Sequence, residues 1–553
     1  PPRSTLFPYT TLFRSGGYVK MAGELPGDET TGSPDEFLSK KPGQRARILV
    51  AGVLMNFIFG FLSVILVFQM GIRFPASVVG HVLPGSPAWH GNVQKGDKIL
   101  EINGQKINKF KDLMLSIAFN GEKPILFKIA RKNGETVELT LLPEYDKEKG
   151  MYFIGVSPVL SQIRVSEGSE LYESGLRTGD IVVAIDDRKV EEAYDLYLAF
   201  SRIEAENFKI AVKRNEKEMT FSVPSKYHTT YRLGIASSQL TVKAVRKGSQ
   251  SMKMGFVEGD FVMALDGVPV HSLGVLSERL MGSDRASVVT VLRNREKKEI
   301  SLAPGSHKEI MENVYFGADL HLGEVLENSA ASDFLKPGDR LIEIGGKKLS
   351  EWGEIAERVS QSEGKPMEIK FVRGEEEKSV TITPRPKQEL HFESLAFLPL
   401  MSEEQRYGFI DSCVYAFKDS LQMIEEIFLM LKGLLGRQIS ARNLGGPVII
   451  FSASYTQFQL GFAYFVYFLA LISINLAVIN ILPIPVLDGG HLALLLIEKI
   501  RGKRVSDKIV IWANYAGVAF LLALILYVTR NDILRLLGRS EEHTSELQSR
   551  QSI

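Results

Sequence analysis

The sequence predicts a multi-pass α-helical membrane protein with β-rich domains inserted between its first two membrane spans. Three observations predict it. Apolar residues make up an ordinary 45% of the 553 residues but are concentrated in three uncharged runs, each long enough to cross a bilayer as a helix. The long stretch between the first two runs repeats itself four times. Lys and Arg gather at the same side of the runs, which orients a membrane protein.

Composition narrows the field. A formal net charge of +1 leaves no basic excess for binding nucleic acid. One cysteine, Cys413, allows neither an internal disulfide nor a multi-cysteine metal site.

The two ends, residues 1–15 (PPRSTLFPYTTLFRS) and 538–553, lack helical or strand periodicity, and the closing one reads as a disordered polar tail. Both resemble translated sequencing-adapter read-through. The expected authentic chain therefore runs from about Gly16 to about Leu537 and is truncated upstream.

The first predicted span is 48–70, after a loop (16–47) carrying Lys40, Lys41, Arg45 and Arg47. The second apolar segment covers 462–497 and the third span 509–528, with Lys499, Arg501, Lys503 and Arg504 between them. Both basic flanks are expected on the cytoplasmic side, which puts 71–461 on the opposite face. Residues 410–460 form a linker whose part from Tyr415 to Leu435 carries Phe417, Leu421, Ile424, Phe428 and Leu431 at helical spacing, a shape suited to a membrane surface.

The repeats are expected at 77–144, 160–224, 240–304 and 317–384. Each carries a Gly-Asp pair (Gly96-Asp97, Gly179-Asp180, Gly259-Asp260, Gly338-Asp339) and later a pair of strands ending in a proline: Pro143, Pro224, Pro304, Pro384. Gly-Asp signals a turn, and the alternating apolar residues after it signal a strand. Asn103-Gly104, Asp266-Gly267 and Gly345-Gly346 are hairpin-turn pairs. The blocks resemble PDZ domains of the circularly permuted bacterial kind, which implies capture of an extended peptide at a strand edge. Spacer modules that exclude bulky substrates are an equal reading.

The chemistry lies in NILPIPVLDGGH, from Asn480 to His491. Pro483 and Pro485 cannot both continue a helix, and Gly489 and Gly490 loosen the backbone. Broken backbone at membrane depth is tolerated where it is buried or lines a wet cavity. Asp488 at mid-bilayer would cost about 2.5–3.5 kcal/mol, which a bound cation would offset. On the residues alone, Asp488 reads as a turn or helix-cap residue ahead of a metal ligand.

That string resembles the Asn-x-x-Pro-x-Pro-x-Leu-Asp-Gly-Gly signature of the site-2 proteases (peptidase M50), at Asn480, Pro483, Pro485, Leu487, Asp488, Gly489 and Gly490. GGYVKM at Gly16–Met21 is similar to the family's membrane-associated β-hairpin. GQRARILVAGVLMNFIFGF, with Gly52 and Asn56, is similar to the start of its second helix; taken by itself, Gly52 reads first as close helix packing by a small residue. LGGP at 444–447 also recurs in the family. The overall likeness is to the bacterial regulator-of-sigma-E type, though with four PDZ-like modules where two are expected.

The resemblance implies an intramembrane zinc metalloprotease of the bacterial inner membrane, with its PDZ-like array in the periplasm. Asp488 would be a ligand of Zn2+. Asn475, Asn480 and the strand at Gly17, Tyr18 and Val19 would hold the substrate extended. The implied partners are the lipid bilayer and single-span membrane proteins of anti-sigma-factor type, together with signal-peptide remnants. The family also needs His-Glu-x-x-His, two imidazoles one helical turn apart with a general base between. None of the nine histidines forms that string, and its expected place is upstream of Gly16. The chain as written is therefore expected to be inactive. The alternative is a membrane-anchored PDZ scaffold without catalysis. A transporter with broken helices predicts an inverted repeat of membrane segments that the sequence lacks.

Overall fold

The computed structural model describes residues 36–549, apart from short gaps at 148–149, 166, 191–194, 196–198, 201–202, 204, 215–216, 226, 283–284, 391–394 and 504. The chain divides into two units, a helical one (Pro1–Ile72, Gln405–Leu431 and Gly445–Arg530) and a β-rich one made mainly of Arg73–Glu404.

In the helical unit, α1 spans Pro42–Met70. Pro42 suits the first helical turn, where its missing N–H is not needed. Gly71 ends the helix at φ 93°, its N–H reaching the Val67 carbonyl. The later long helices are α2 (Phe409–Leu435), α3 (Pro447–Leu460), α4 (Phe462–Ile481), α5 (Asp488–Arg501) and α6 (Asp507–Ser549). Among the described residues three helices are long and apolar enough to cross a membrane, at Pro42–Met70, Phe462–Ile481 and Lys508–Leu534. The segment expected at 462–497 is two helices with a break at the proline pair.

α1 packs along α4 through a glycine. A β-carbon on Gly60 would lie 2.6 Å from Ile474 Cγ1 and 3.1 Å from the Ala470 carbonyl oxygen, so the two backbones meet as closely as small residues permit. Tyr467 of α4 donates a 2.8 Å hydrogen bond to buried Asp419 of α2.

One expectation fails at the C-terminus. Helix α6 runs through residues 538–549, where no regular structure was expected. The Glu, Leu and Gln residues of SEEHTSELQS are adequate helix formers, and extending an existing helix avoids the cost of nucleating one.

The β-rich unit contains four modules with separate cores. The first core holds Val79, Ile99, Leu113, Ile125, Phe127 and Ile129; the third holds Leu240, Val262, Val289 and Val291. The second centres on Ile163, Leu171, Phe208 and Val212, and the fourth on Leu322, Leu341, Ile355 and Ile369. The predicted turns carry the left-handed backbone that type I′ hairpins require: Asn103 and Gly104 lie at φ 48° and 81°, Asp266 and Gly267 at 51° and 75°.

The Gly-Asp pairs do more than turn the chain. Each aspartate is at most 1% exposed and accepts both a backbone N–H three residues earlier and an arginine at the end of a later strand or one residue past it. The pairs are Asp97–Arg131 at 2.7 Å, Asp180–Arg214 at 2.6 Å, Asp260–Arg293 at 2.6 Å and Asp339–Arg373 at 2.7 Å. Hydrogen bonding to the aspartate, against the opposing effect of burial, raises Arg214, Arg293 and Arg373 above the usual guanidinium range.

The module boundaries need correction. In the first module, β1 (Val79–Val82) pairs with β2 (Val156–Pro158), and in the third, β6 (Thr241–Val245) pairs with β7 (Val314–Gly317). These strands lie beyond the expected ends at 144 and 304. In the second module, β3 (Leu160–Val165) pairs with β10 (Leu395–Pro399). In the fourth, β8 (Leu322–Val325) pairs with β5 (Ile235–Ser237). Between them, β4 (Tyr227–Arg232) pairs with β9 (Arg385–Leu390). Contiguous limits at 160–224 and 317–384 therefore omit a strand that each module needs.

Candidate functional site

The break between α4 and α5 is a tight loop held by its own backbone. Leu482 N–H bonds to Ile479 O at 3.1 Å, Ile484 N–H to Leu482 O at 2.7 Å, and Leu487 N–H to Ile484 O at 3.1 Å. The first turn of α5 then begins with Gly490 N–H on Leu487 O at 2.9 Å. The two prolines sit where no N–H is required.

The glycines are required by space. A β-carbon on Gly489 would lie 2.2 Å from the Leu482 carbonyl oxygen, and one on Gly490 would lie 2.2 Å from that of Ile484. From α6, Gly517 approaches the same loop, with the Pro485 carbonyl oxygen 2.5 Å from its β-carbon position. Val486 between the prolines and Asp488 has φ 80°, which for a β-branched residue costs of order 1–3 kcal/mol. The surrounding loop imposes that strain.

Asp488 is the first residue of α5, where the partial positive charge of the helix terminus favours a carboxylate. Gly52 of α1 lies opposite, its β-carbon position 3.7 Å from Asp488 Oδ2. Here a small residue keeps the wall of α1 low beside the carboxylate. α1 and α5 are tied again by Arg45, whose Nη2 donates to both Glu498 oxygens at 2.9 and 3.1 Å. Those side chains are 6% and 14% exposed. Phe37, Leu49 of α1 and Leu495 of α5 form a small buried apolar cluster.

The structure brings together Gly52, Pro485, Asp488, Gly489 and Gly490, and Pro483 lies in the same loop. Asn56 lies one turn beyond Gly52 on α1, half-buried, and Asn475 and Asn480 are half-buried on α4. Gly17, Tyr18 and Val19 lie outside the described residues. Sequence reasoning missed Val486, Gly517 and the Arg45–Glu498 pair. Arg45 had been read only as a topogenic charge, and no local pattern links it to a glutamate 453 positions away.

A zinc site needs three or four protein ligands. Among the described residues no group of three or more His, Cys, Asp or Glu side chains could hold a metal ion. His491 stands one turn after Asp488, half-buried, but two donors do not complete a site. The described residues alone do not fit zinc.

The model of peptidase family M50 matches residues 3–524. The chain belongs to peptidase family M50. Among similar M50 proteins, the regulator of sigma-E protease RseP of Salmonella typhimurium is 34% identical over 226 residues, covering 39% of this chain and 50% of RseP. The regulator of sigma-W protease RasP of Bacillus subtilis is 32% identical over 216 residues, covering 39% of this chain and 51% of RasP. A Lactococcus lactis protein carrying the name zinc metalloprotease is 34% identical over 215 residues, covering 39% of this chain and 49% of that protein. The chain thus spans about half the length of these curated relatives.

Proposed function

We propose that this M50 chain is part of a site-2-type intramembrane zinc metalloprotease, with Asp488 as its contribution to the metal centre. The observation that carries the reading is the Pro483–Gly490 loop. It spends backbone strain at Val486 and two sterically obligatory glycines to hold one carboxylate at a helix start, against a glycine of α1. A helix-capping role for Asp488 alone would not call for that expense. The M50 match and the zinc metalloprotease name of a relative support the metal's identity.

In this reading Asp488 would be one ligand of a bound zinc, which would supply Lewis-acid activation of a peptide carbonyl and of water. Of this chain's residues, Asp488 supplies a charge, Gly52 leaves room beside it, and Asn475 and Asn480 offer amides to an extended substrate backbone. The three apolar helices cross the bacterial inner membrane, and the β-rich unit faces the periplasm. Substrates are single-span membrane proteins of anti-sigma-factor type, a class suggested by the names of RseP and RasP. The polypeptide of this sequence contains no His-Glu-x-x-His. It is expected to bind zinc weakly and to cleave nothing alone.

The test joins a helix bearing His-Glu-x-x-His ahead of Gly16 and assays a membrane-span reporter. Metal-dependent cleavage that Asp488→Ala abolishes, with membrane insertion unchanged, supports the reading. Cleavage retained by Asp488→Ala overturns the ligand role. The second reading is a non-catalytic membrane-anchored scaffold. It predicts no cleavage from the extended protein either.

A further inference from the structure

Modules one and three close their sheets in cis. Between the last long strand of module one and β2, the chain turns back at Gly150 (φ 63°), whose N–H reaches the Asp146 carbonyl at 2.7 Å. In module three Gly305 (φ 73°) and a short helix, His307–Asn313, do the same. Among their described residues, the matching connections after modules two and four show no such reversal. They are the extended strands β4 and β9, paired residue for residue from Tyr227↔Leu390 to Arg232↔Arg385. Thr229, Thr230 and Tyr231 favour that conformation. A six-residue strand carries the chain roughly 20 Å from where it started.

The segment after β4 then does in module four what its counterpart does at home in module one. In module one, Leu83 N–H bonds to Gly155 O at 2.7 Å and Ala88 N–H to Ile154 O at 2.8 Å. In module four, Leu326 N–H bonds to Gly234 O at 2.9 Å and Ala331 N–H to Leu233 O at 3.1 Å. Gly155 and Gly234 share even their crowding: a β-carbon on either would lie 2.2 Å from a serine Cβ, that of Ser86 or Ser329. Leu233, 3% exposed, belongs to the core of module four. In sequence it follows module two.

We infer that modules two and four are a reciprocally strand-exchanged pair that folds as one cooperative unit, with module three carried between its halves. Each gives away the strand that closes its own sheet, and β4–β9 is the crossing where the two arms pass. The strand that pairs with β8 of module four therefore comes from chain belonging to module two, and the strand that pairs with β3 of module two from chain belonging to module four. This inference is independent of the proteolytic reading.

Disulfide trapping in the full-length protein, with Cys413→Ser as background, tests it. Opposed Cα atoms in an antiparallel ladder lie at about 4.5–5.5 Å, within disulfide range. In the exchanged fold Ala236 opposes Glu324. If the strands stayed home, it would take the place beside Arg164 now held by Ala396. After oxidation and tryptic mapping, A236C/E324C is expected to give an intrachain disulfide and R164C/A236C none. Crosslinking of R164C/A236C, or an A236C/E324C disulfide found only between two copies, overturns the inference. Hydrogen exchange gives a second readout. Leu341→Ala in module four should speed exchange at Asn207–Arg214 of module two and leave Ile125–Ala130 of module one unchanged. Module two protected as in the parent protein would sink cooperative folding.

Discussion

At the scale of single residues, the repeated aspartate is the most consequential side chain in the β-rich unit. Asp260 is fully buried and takes two contacts from Arg293, at 2.6 and 2.8 Å, besides the Val257 N–H at 3.0 Å. Removing one partner of a buried pair costs about 3–5 kcal/mol, and the part-exposed arginine puts Asp260→Ala near the lower figure. Thermal unfolding followed through module three should register that loss. Asp319 makes a prediction about pH. Burial pushes its carboxyl up, but hydrogen bonds and charge from His321 and hydrogen bonds from Ser238 outweigh this and hold it below its ordinary value. A depressed carboxylate stabilises the fold above its unfolded pKa, about 3.9, and the gain fades as pH falls through the lower folded value. Acid titration of the parent protein and Asp319→Asn should therefore show them differing most above pH ~3.9 and converging as the pH falls through the lower folded value. The Gly-Asp turns were legible because turn chemistry is local. Their arginine partners were not, since nothing local marks an ion pair that bridges two strands.

At the scale of elements, the proline pair announced the break between α4 and α5, and the glycines announced a crowded loop. Their reason lies in three dimensions, because the carbonyls of Ile481, Leu482 and Ile484 press on those two Cα atoms. Gly489→Ala would force backbone to move. Overpacking of this kind costs typically 1–3 kcal/mol, read as a lowered unfolding midpoint in detergent. Glu498→Gln should strand the buried Arg45 charge and weaken the docking of α5 on α1 by about 3 kcal/mol. Double-mutant analysis with Arg45→Gln would show a coupling well above that of an exposed pair. The left-handed Val486 could not be anticipated, since valine is among the residues least expected there.

At the scale of the whole molecule, periodicity revealed four modules and the hydropathy pattern revealed three helices long and apolar enough to cross a membrane. It did not reveal which strand completes which sheet. The four copies carry the same apolar alternation, so one closing strand fits another's place equally well, and pairing choice is set by whether the connection turns or runs on. Calorimetry of the intact protein should then resolve module one from a joint transition of modules two and four. If the β-rich unit faces the periplasm, Lys298→Cys in the Cys413→Ser background should react with a membrane-impermeant maleimide added to spheroplasts. Protection there, with labelling only after lysis, would reverse the proposed orientation.

The strand exchange also constrains how such a gene can change length. Tandem copies are ordinarily gained or lost one at a time, because a self-contained unit leaves its neighbours intact. Here an in-frame deletion of module two would take away the strand that closes module four and leave β10 without a sheet to join. Module three, closed by its own β7, can be removed cleanly. Inheritable variants of this architecture should therefore keep modules two and four together or lose both.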